Sequence, residues 1–360
     1  MNFLFLVQGE GRGHMTQAIE LSKILCTNGH QIVHTFIGKS DRRSIPDYFF
    51  NLINSEISEV ASPNFVLDSE NKSLKLGKSI TYNARFLRKY KESLDQIHQK
   101  VKEKRPDAII NFYDFLGGFY FKLYKPANVK HICIGRQFLT IHPDYPFVPD
   151  RNIEKNLFLA NNRITSQKCD KYLALSFRPY VPDRIKKLVV VPPLIPDELI
   201  SDDLTADDFI LGYLVNDGYA EEIISWHAKN TDVTVHCFWD RKNMPETYSP
   251  HNNLTFHQIN NALFKDMMRR CKGYISTAGF ESICEAMSLQ KPVMMVPVEG
   301  QYEQACNALD GQLAGAGIIS ESFDISQLVA YIPKHVPNSK FKEWRGKTAA
   351  IFLEELTNFK

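Results

Sequence analysis

No stretch of this 360-residue sequence approaches the ~20 consecutive apolar residues that span a bilayer, and the opening "MNFLFLV" is shorter than the core of a secretory leader. That opening reads as a first strand, and the protein is expected in the cytoplasm. Cysteine shows no pairing: the seven residues, at positions 26, 133, 169, 237, 271, 284 and 306, are scattered and odd in number, with no CxxC. The pattern suits isolated thiols in a reducing compartment rather than a disulfide framework. There is no HExxH, no Asp-x-Asp pair and no Cys/His cluster, so neither a metal nor a resident cofactor is expected. An excess of one charge is missing too. With 43 Lys and Arg against 41 Asp and Glu, any basic surface must be local; the one basic stretch, at 71–91, is short and lacks a recognised nucleic-acid module, so no nucleic-acid partner is expected.

What is present is the composition of a globular chain, 44% apolar and 23% charged. Its length suits two domains of roughly 150–200 residues each. The runs "NFLFLV", "QIVHTFIG", "DAIINFYD", "VKHICIG", "KYLALS" and "KLVVVPP" alternate with helical stretches, which predicts a parallel sheet covered on both faces. Pro and Asp then crowd "PPLIPDELISDDLTADD" and the periodicity is lost, as at a linker. The pattern restarts with "FILGYLV", "DVTVHCFW", "NLTFHQI", "GYIS" and "PVMMVPV", with helices predicted at 219–229, 261–271, 280–288 and 301–314. The fold class is α/β, with two doubly wound Rossmann-like domains facing across a cleft. Boundaries fall at 1–195 for the first domain, 196–207 for the linker and 208–335 for the second domain. A C-terminal helix within 336–360 is expected to pack back on the first domain. Ligands of such sheets sit beyond the C-terminal ends of the strands.

Two strand-to-helix turns stand out. "QGEGRGH" supplies Gly9, Gly11 and Gly13 in a G-x-G-x-G spacing, which is not the G-x-G-x-x-G of dinucleotide sites. Asp41, beyond the next strand, is a poor ribose partner, and "IGKS" at 37–40 has Val33 where a phosphate loop needs its first Gly. His14 follows the turn, where an imidazole can serve as a general base near neutral pH, although a lone His is more often structural. Asp114 ends the strand in "AIINFYD". It either orients that imidazole or caps the following helix, and both readings stay open.

The second turn is "TAGFESICEA", residues 277–286. Small residues opening a helix expose unpaired N–H groups and a partial positive charge to an anion such as phosphate. The longer segment "TAGFESICEAMSLQKPVMMVPVEGQYEQACNALDGQLAGAG" resembles the donor-binding signature of GT-B nucleotide-sugar glycosyltransferases. It is similar to UDP-glycosyltransferases and to the peptidoglycan N-acetylglucosaminyltransferase that makes lipid II. "GEGRGHMTQAIELSKIL" and "VVVPPLI" resemble the same families in matching order, so both halves of the chain are covered.

The resemblance implies an inverting, metal-independent transfer of a hexose or N-acetylhexosamine from a UDP-sugar to an acceptor hydroxyl. Thr277, Ala278, Gly279 and Phe280 would meet the diphosphate, with Ser282 adding a hydroxyl. Glu285 would take the ribose hydroxyls, Glu303 and Gln304 the sugar, Ile259 the base, and Asn216 with Gly218 would form a further phosphate-side loop. His14 would be the catalytic base and Asp114 its partner, with Gly11, Gly13, Arg136 and Gln137 on the acceptor side. Two departures are visible: Thr277 replaces a His common in the family, and Glu281 stands where Asn or a small residue is usual. Two alternatives remain. One is a UDP-N-acetylglucosamine 2-epimerase of the same architecture, distinguished by epimerisation without acceptor. The other is a non-catalytic nucleotide-sugar-binding protein, distinguished by the absence of UDP release.

"NKSLKLGKSITYNARFLRKYK" at 71–91 carries seven Lys or Arg and no acid. One reading is an ordinary solvated helix. The other is a patch, with Arg85, Arg88, Lys89 and Lys91, that holds the protein peripherally on the inner face of an anionic membrane, where a lipid-linked acceptor would be presented.

Overall fold

Runs that are apolar at nearly every position, such as FLFLV and AIINF with its single Asn111, are buried on both faces only at the centre of a covered sheet. Both take that place in the structure, a computed structural model. The described residues are 1–40, 45–63, 83, 85–183, 185–199, 206–214, 217–241 and 243–358; Asp41, Lys72, Lys75, Lys78 and Asn216 lie outside them. The chain divides into two compact units, Met1–Ile195 together with Gly346–Lys360, and Pro196–Arg345.

In the first unit, β1 (Asn2–Gln8), β2 (Gln31–Lys39), β3 (Ile57–Ala61), β4 (Ala108–Phe112), β5 (Lys130–Gly135), β6 (Lys171–Leu175) and β7 (Leu188–Val191) make a parallel sheet. Its order is β3-β2-β1-β4-β5-β6-β7. The helices are α1 (Arg12–Thr27), α2 (Asp47–Leu52), α3 (Leu87–Lys104), α4 (Phe115–Leu123) and α5 (Asn152–Thr165). One core joins Leu4, Leu6, Phe36 and Ile109 of the sheet to Leu94 and Ile97 of α3 and Leu116 and Tyr120 of α4. Helix α1 stops where Gly29 takes φ 79°, a conformation that favours glycine, and the His30 N–H returns to Leu25 O at 3.0 Å.

The second unit holds β8 (Ile210–Tyr213), β9 (Val235–Trp239), β10 (Thr247–His251), β11 (Leu254–Gln258), β12 (Gly273–Ser276), β13 (Val293–Met295) and β14 (Gly317–Ile319). Their order is β10-β11-β9-β8-β12-β13-β14. Its helices are α6 (Ala220–His227), α7 (Asn261–Arg270), α8 (Phe280–Ser288), α9 (Tyr302–Leu313), α10 (Ser326–Tyr331) and α11 (Ser339–Arg345). Ile210, Cys237, Trp239, Phe256, Ile275 and Met294 bury one face of this sheet with Ile223, Phe323 and Leu328. The sheet is not wholly parallel, as alternation alone predicts: β10 runs antiparallel to β11. It is an edge strand and contains Pro250, which edges tolerate.

The C-terminal stretch forms two helices and not one. Helix α11 ends the second unit, where the Arg345 guanidinium reaches Pro196 O at 3.1 Å and Asp197 Oδ1 at 3.0 Å. Helix α12 (Thr348–Thr357) belongs to the first unit, and Lys171 Nζ holds it by Glu355 O at 2.8 Å and the Glu355 carboxylate at 2.9 Å. In each sheet the strand order reverses at the first strand, between β1 and β4 and between β8 and β12. Those switch points are where open α/β sheets bind ligands.

Candidate functional site

The first switch point is built by a glycine turn on one strand and a closed polar turn on the other. The turn after β1 spans residues 9–11: the Gly9 N–H donates to Gly38 O at 2.7 Å, and Glu10 Oε1 accepts from Ser40 N at 2.8 Å. Helix α1 begins at Arg12, so Gly13 and His14 lie inside its first turn rather than in the loop. A helix tolerates this because its first N–H groups need no acceptor four residues back.

His14 is 8% exposed. Its Nδ1 lies 3.3 Å from Gln17 Oε1, one turn further along the same helix. Its ring stacks on that of Tyr113, with centroids 5.6 Å apart and planes at 23°. Burial pulls the imidazole down from the ordinary 6.5 to about 4, opposed only in part by the Gln17 bond.

On the neighbouring strand, buried Asn111 closes the turn after β4. Its Oδ1 accepts from Asp114 N at 2.8 Å, and its Nδ2 donates to Asp114 O at 3.0 Å and to Thr165 O at 2.9 Å. Inside that clasp Tyr113 takes φ 61°, a left-handed conformation costly for a large side chain. Asp114 then caps α4: its Oδ1 accepts from Leu116 N and from the Ser62 hydroxyl, both at 2.8 Å. Its Oδ2 is buried without a partner, packed where a Cβ on Gly38 would come within 2.0 Å. Burial pushes the carboxyl up to about 6, against the bonds from Leu116 and Ser62, with Glu10 adding a smaller like-charge push.

Of the two readings of Asp114, the structure has the cap; it and His14 share no hydrogen bond. Arg136 and Gln137 follow β5 in a short 3-10 turn and are buried. The Arg136 guanidinium sits 5.5 Å from the Tyr145 ring centre and 5.0 Å from that of Phe177.

The second switch point repeats the pattern. Strand β12 ends at Ser276, Ala278 takes φ 61°, and Gly279 precedes α8 without any side-chain cap. Gly279, at the N-cap, supplies no side-chain oxygen to the first turn of α8. Ser282 Oγ donates to Gly279 O at 3.2 Å and lies 3.2 Å from Ser276 Oγ, while Asn307 Nδ2 steadies Ala278 O at 3.3 Å. Thr277 is fully buried and its hydroxyl has no partner.

Glu285 is half-buried on the second turn of α8, and Phe280 is buried at its start. Glu303 and Gln304 occupy the first turn of α9, where Gln304 Oε1 accepts from Val298 N at 2.9 Å. Ile259 directly follows β11 and is half-buried, and Gly218 lies in a 3-10 turn just before α6. Thus Thr277, Ala278, Gly279, Phe280, Ser282 and Glu285 come together on one turn and helix.

Sequence reading passed over Gln17, Tyr113, Asn111, Ser62 and Asn307. Only Gln17 left a usable signal, three residues after His14 on a predicted helix. The described cations of the basic stretch point outward and are exposed. Arg88 pairs with Glu92 at 3.0 Å, Lys91 with Asp95 at 3.6 Å, and Lys89 lies over Phe86. Among the described residues no helix is long and apolar enough to cross a membrane.

Two doubly wound units, each with a strand-to-helix turn at its switch point, make a fold of the GT-B type. The chain belongs to glycosyl transferase family 1, whose model matches residues 1–337. No curated protein matches. Among solved structures, it is similar to Phytolacca americana UGT2 complexed with UDP-2fluoro-glucose and pterostilbene (TM-score 0.66, 11% identity, 99% of this chain and 98% of that one). It is similar also to Arabidopsis thaliana UGT89C1 complexed with UDP-L-rhamnose (TM-score 0.63, 14% identity, 99% and 98%). A third is the spinosyn rhamnosyltransferase SpnG complexed with spinosyn aglycone (TM-score 0.62, 11% identity, 99% and 100%). At these identities the likeness is one of fold.

Proposed function

We propose that the protein transfers a hexosyl or N-acetylhexosaminyl group from a UDP-sugar to an acceptor hydroxyl, with inversion and without a metal ion. His14 Nε2 takes the acceptor proton as the acceptor oxygen attacks C1 from the face opposite the diphosphate. The bond from C1 to the diphosphate oxygen breaks, and UDP leaves with its electron pair. The N–H groups opening α8, the Ser282 hydroxyl and the Thr277 hydroxyl stabilise the developing charge, an electrostatic role that needs no cation. Glu285 holds the ribose hydroxyls, with Ile259, Gly218, Asn216, Glu303 and Gln304 completing the donor side.

The observation that carries this reading is the orphaned Thr277 hydroxyl beside a strained, uncapped helix start. A buried hydroxyl without a partner costs stability, and a ligand oxygen would relieve that cost. A thermal-shift panel of nucleotide sugars tests it, because a ligand of the native state raises the melting temperature. UDP-sugars should raise it, and a flat response across the panel removes the proposal.

Thr277→Val sharpens the test. The variant should be as stable as the parent or more so, because it discards an unsatisfied hydroxyl, yet bind UDP more weakly by about 1–3 kcal/mol. Calorimetry showing unchanged UDP affinity would exclude the contact. The lipid-linked acceptor and peripheral membrane contact stand on the basic stretch. Replacing Arg85, Arg88, Lys89 and Lys91 by Gln should reduce binding to anionic vesicles at low salt and leave UDP affinity intact. Equal vesicle binding by the two proteins would remove that part of the reading.

A further inference from the structure

We infer that Gln17 and Tyr113, not Asp114, are the residues that position the His14 imidazole, and that they present Nε2 as its proton-accepting atom. The inference rests on His14 being the base proposed above. An imidazole that is to accept a proton needs one nitrogen bearing hydrogen and held, and the other bare and free. Gln17 Oε1 can only accept, so its 3.3 Å contact places the hydrogen on Nδ1. Among the described residues Nε2 makes no hydrogen bond.

Rotation of the ring is blocked from one side by Tyr113, stacked at 5.6 Å. That plate is anchored at both ends. Its backbone is held at φ 61° by the Asn111 clasp, and its hydroxyl accepts from Asn161 Nδ2 at 2.8 Å and donates to Asn162 Oδ1. Asn162 is fixed in turn by its Nδ2, which donates to Gln137 O at 2.9 Å and to Thr140 Oγ1 at 3.0 Å. Strain maintained by so many bonds marks a side chain whose placement matters. Asp114 shares no hydrogen bond with His14: its Oδ1 accepts from Leu116 N and Ser62 Oγ, and its Oδ2 is buried without a partner.

The test reads the tautomer directly, by nitrogen-15 NMR of the full chain labelled at histidine, with the His14 signals assigned by their loss in His14→Ala. The parent should show Nδ1 protonated and Nε2 bare. Gln17→Leu should move His14 towards the Nε2-protonated form, while Gln17→Glu, which keeps an acceptor at the same place, should retain Nδ1–H. Asp114→Asn should leave the His14 signals where they are. Tyr113→Leu should shift the His14 ring protons downfield by removing the stacked ring current. An Nε2-protonated parent, an unmoved tautomer in folded Gln17→Leu, or a tautomer change in Asp114→Asn would overturn the inference. These readouts need no substrate, so they stand apart from the base assignment, which fails separately if His14→Ala turns over like the parent.

Discussion

His14→Ala is expected to lower kcat by about 10²–10⁴-fold, the usual contribution of a positioned general base. The size follows from where the imidazole sits. It is buried, it carries no neighbouring carboxylate partner, and burial holds it near 4. The base is therefore in its neutral, proton-accepting form across the whole neutral range, and no alternative group is bonded to it that could take over. UDP affinity should barely change, since the donor contacts proposed above all belong to the second unit. Release of UDP from a UDP-sugar, under conditions where chemistry limits the rate, measures the first quantity and calorimetry the second. Near-parental turnover would falsify the base assignment, and lost UDP binding would reassign His14 to the donor.

The pH dependence of stability should change most with Asp114→Asn. The Asp114 carboxyl titrates near 6 in the folded protein against an ordinary 3.8. Its folded value is raised, so the stability its neutral form confers is complete below 3.8 and is lost as pH climbs through 6. The Asn side chain never ionises and suffers no such loss. Between pH 4 and pH 8 the variant should gain about 3 kcal/mol relative to the parent, from roughly two units at 1.36 kcal/mol each. His14 works in the opposite sense: its folded value lies below 6.5, so its contribution is present above 6.5 and lost as pH falls towards 4. Parallel melting of parent and Asp114→Asn across this range checks the claim. Curves that keep a constant separation would show that Asp114 does not titrate near 6.

Much of the architecture was legible because its signals are local. Largely apolar runs mark the central strands, and the second unit begins at Pro196, within the Pro/Asp cluster. Three of the four edge strands were not. β3, with its alternating polar residues, β14, only three residues long, and β10, which is antiparallel, carry too little pattern to separate them from loops. The turn between β12 and α8 was legible as a motif, since small residues before a helix announce themselves. The surroundings of His14 were not, because they are assembled from distant segments. Tyr113 meets His14 across the sheet, Ser62 reaches Asp114 from beyond β3, and Asn161 and Asn162 come from α5. Asp114 shows the limit most plainly. Its position at a strand end fits a partner to the base and a helix cap equally well, and it takes the bond from Leu116 N to show the cap.

The Arg345 bridge to Pro196 and Asp197 brings the exit of the second unit back to its entry. The second unit is thus an insertion within the first, whose final helix is encoded after it. During synthesis, all of residues 196–345 leave the ribosome before the first unit has its last piece, and domains generally fold as units as they emerge. The unit that begins the chain is therefore the last to be completed. Until α12 arrives, β7 lacks the helix that packs against it and Lys171, at the start of β6, lacks its Glu355 partner; a chain truncated before residue 346 would lack both permanently.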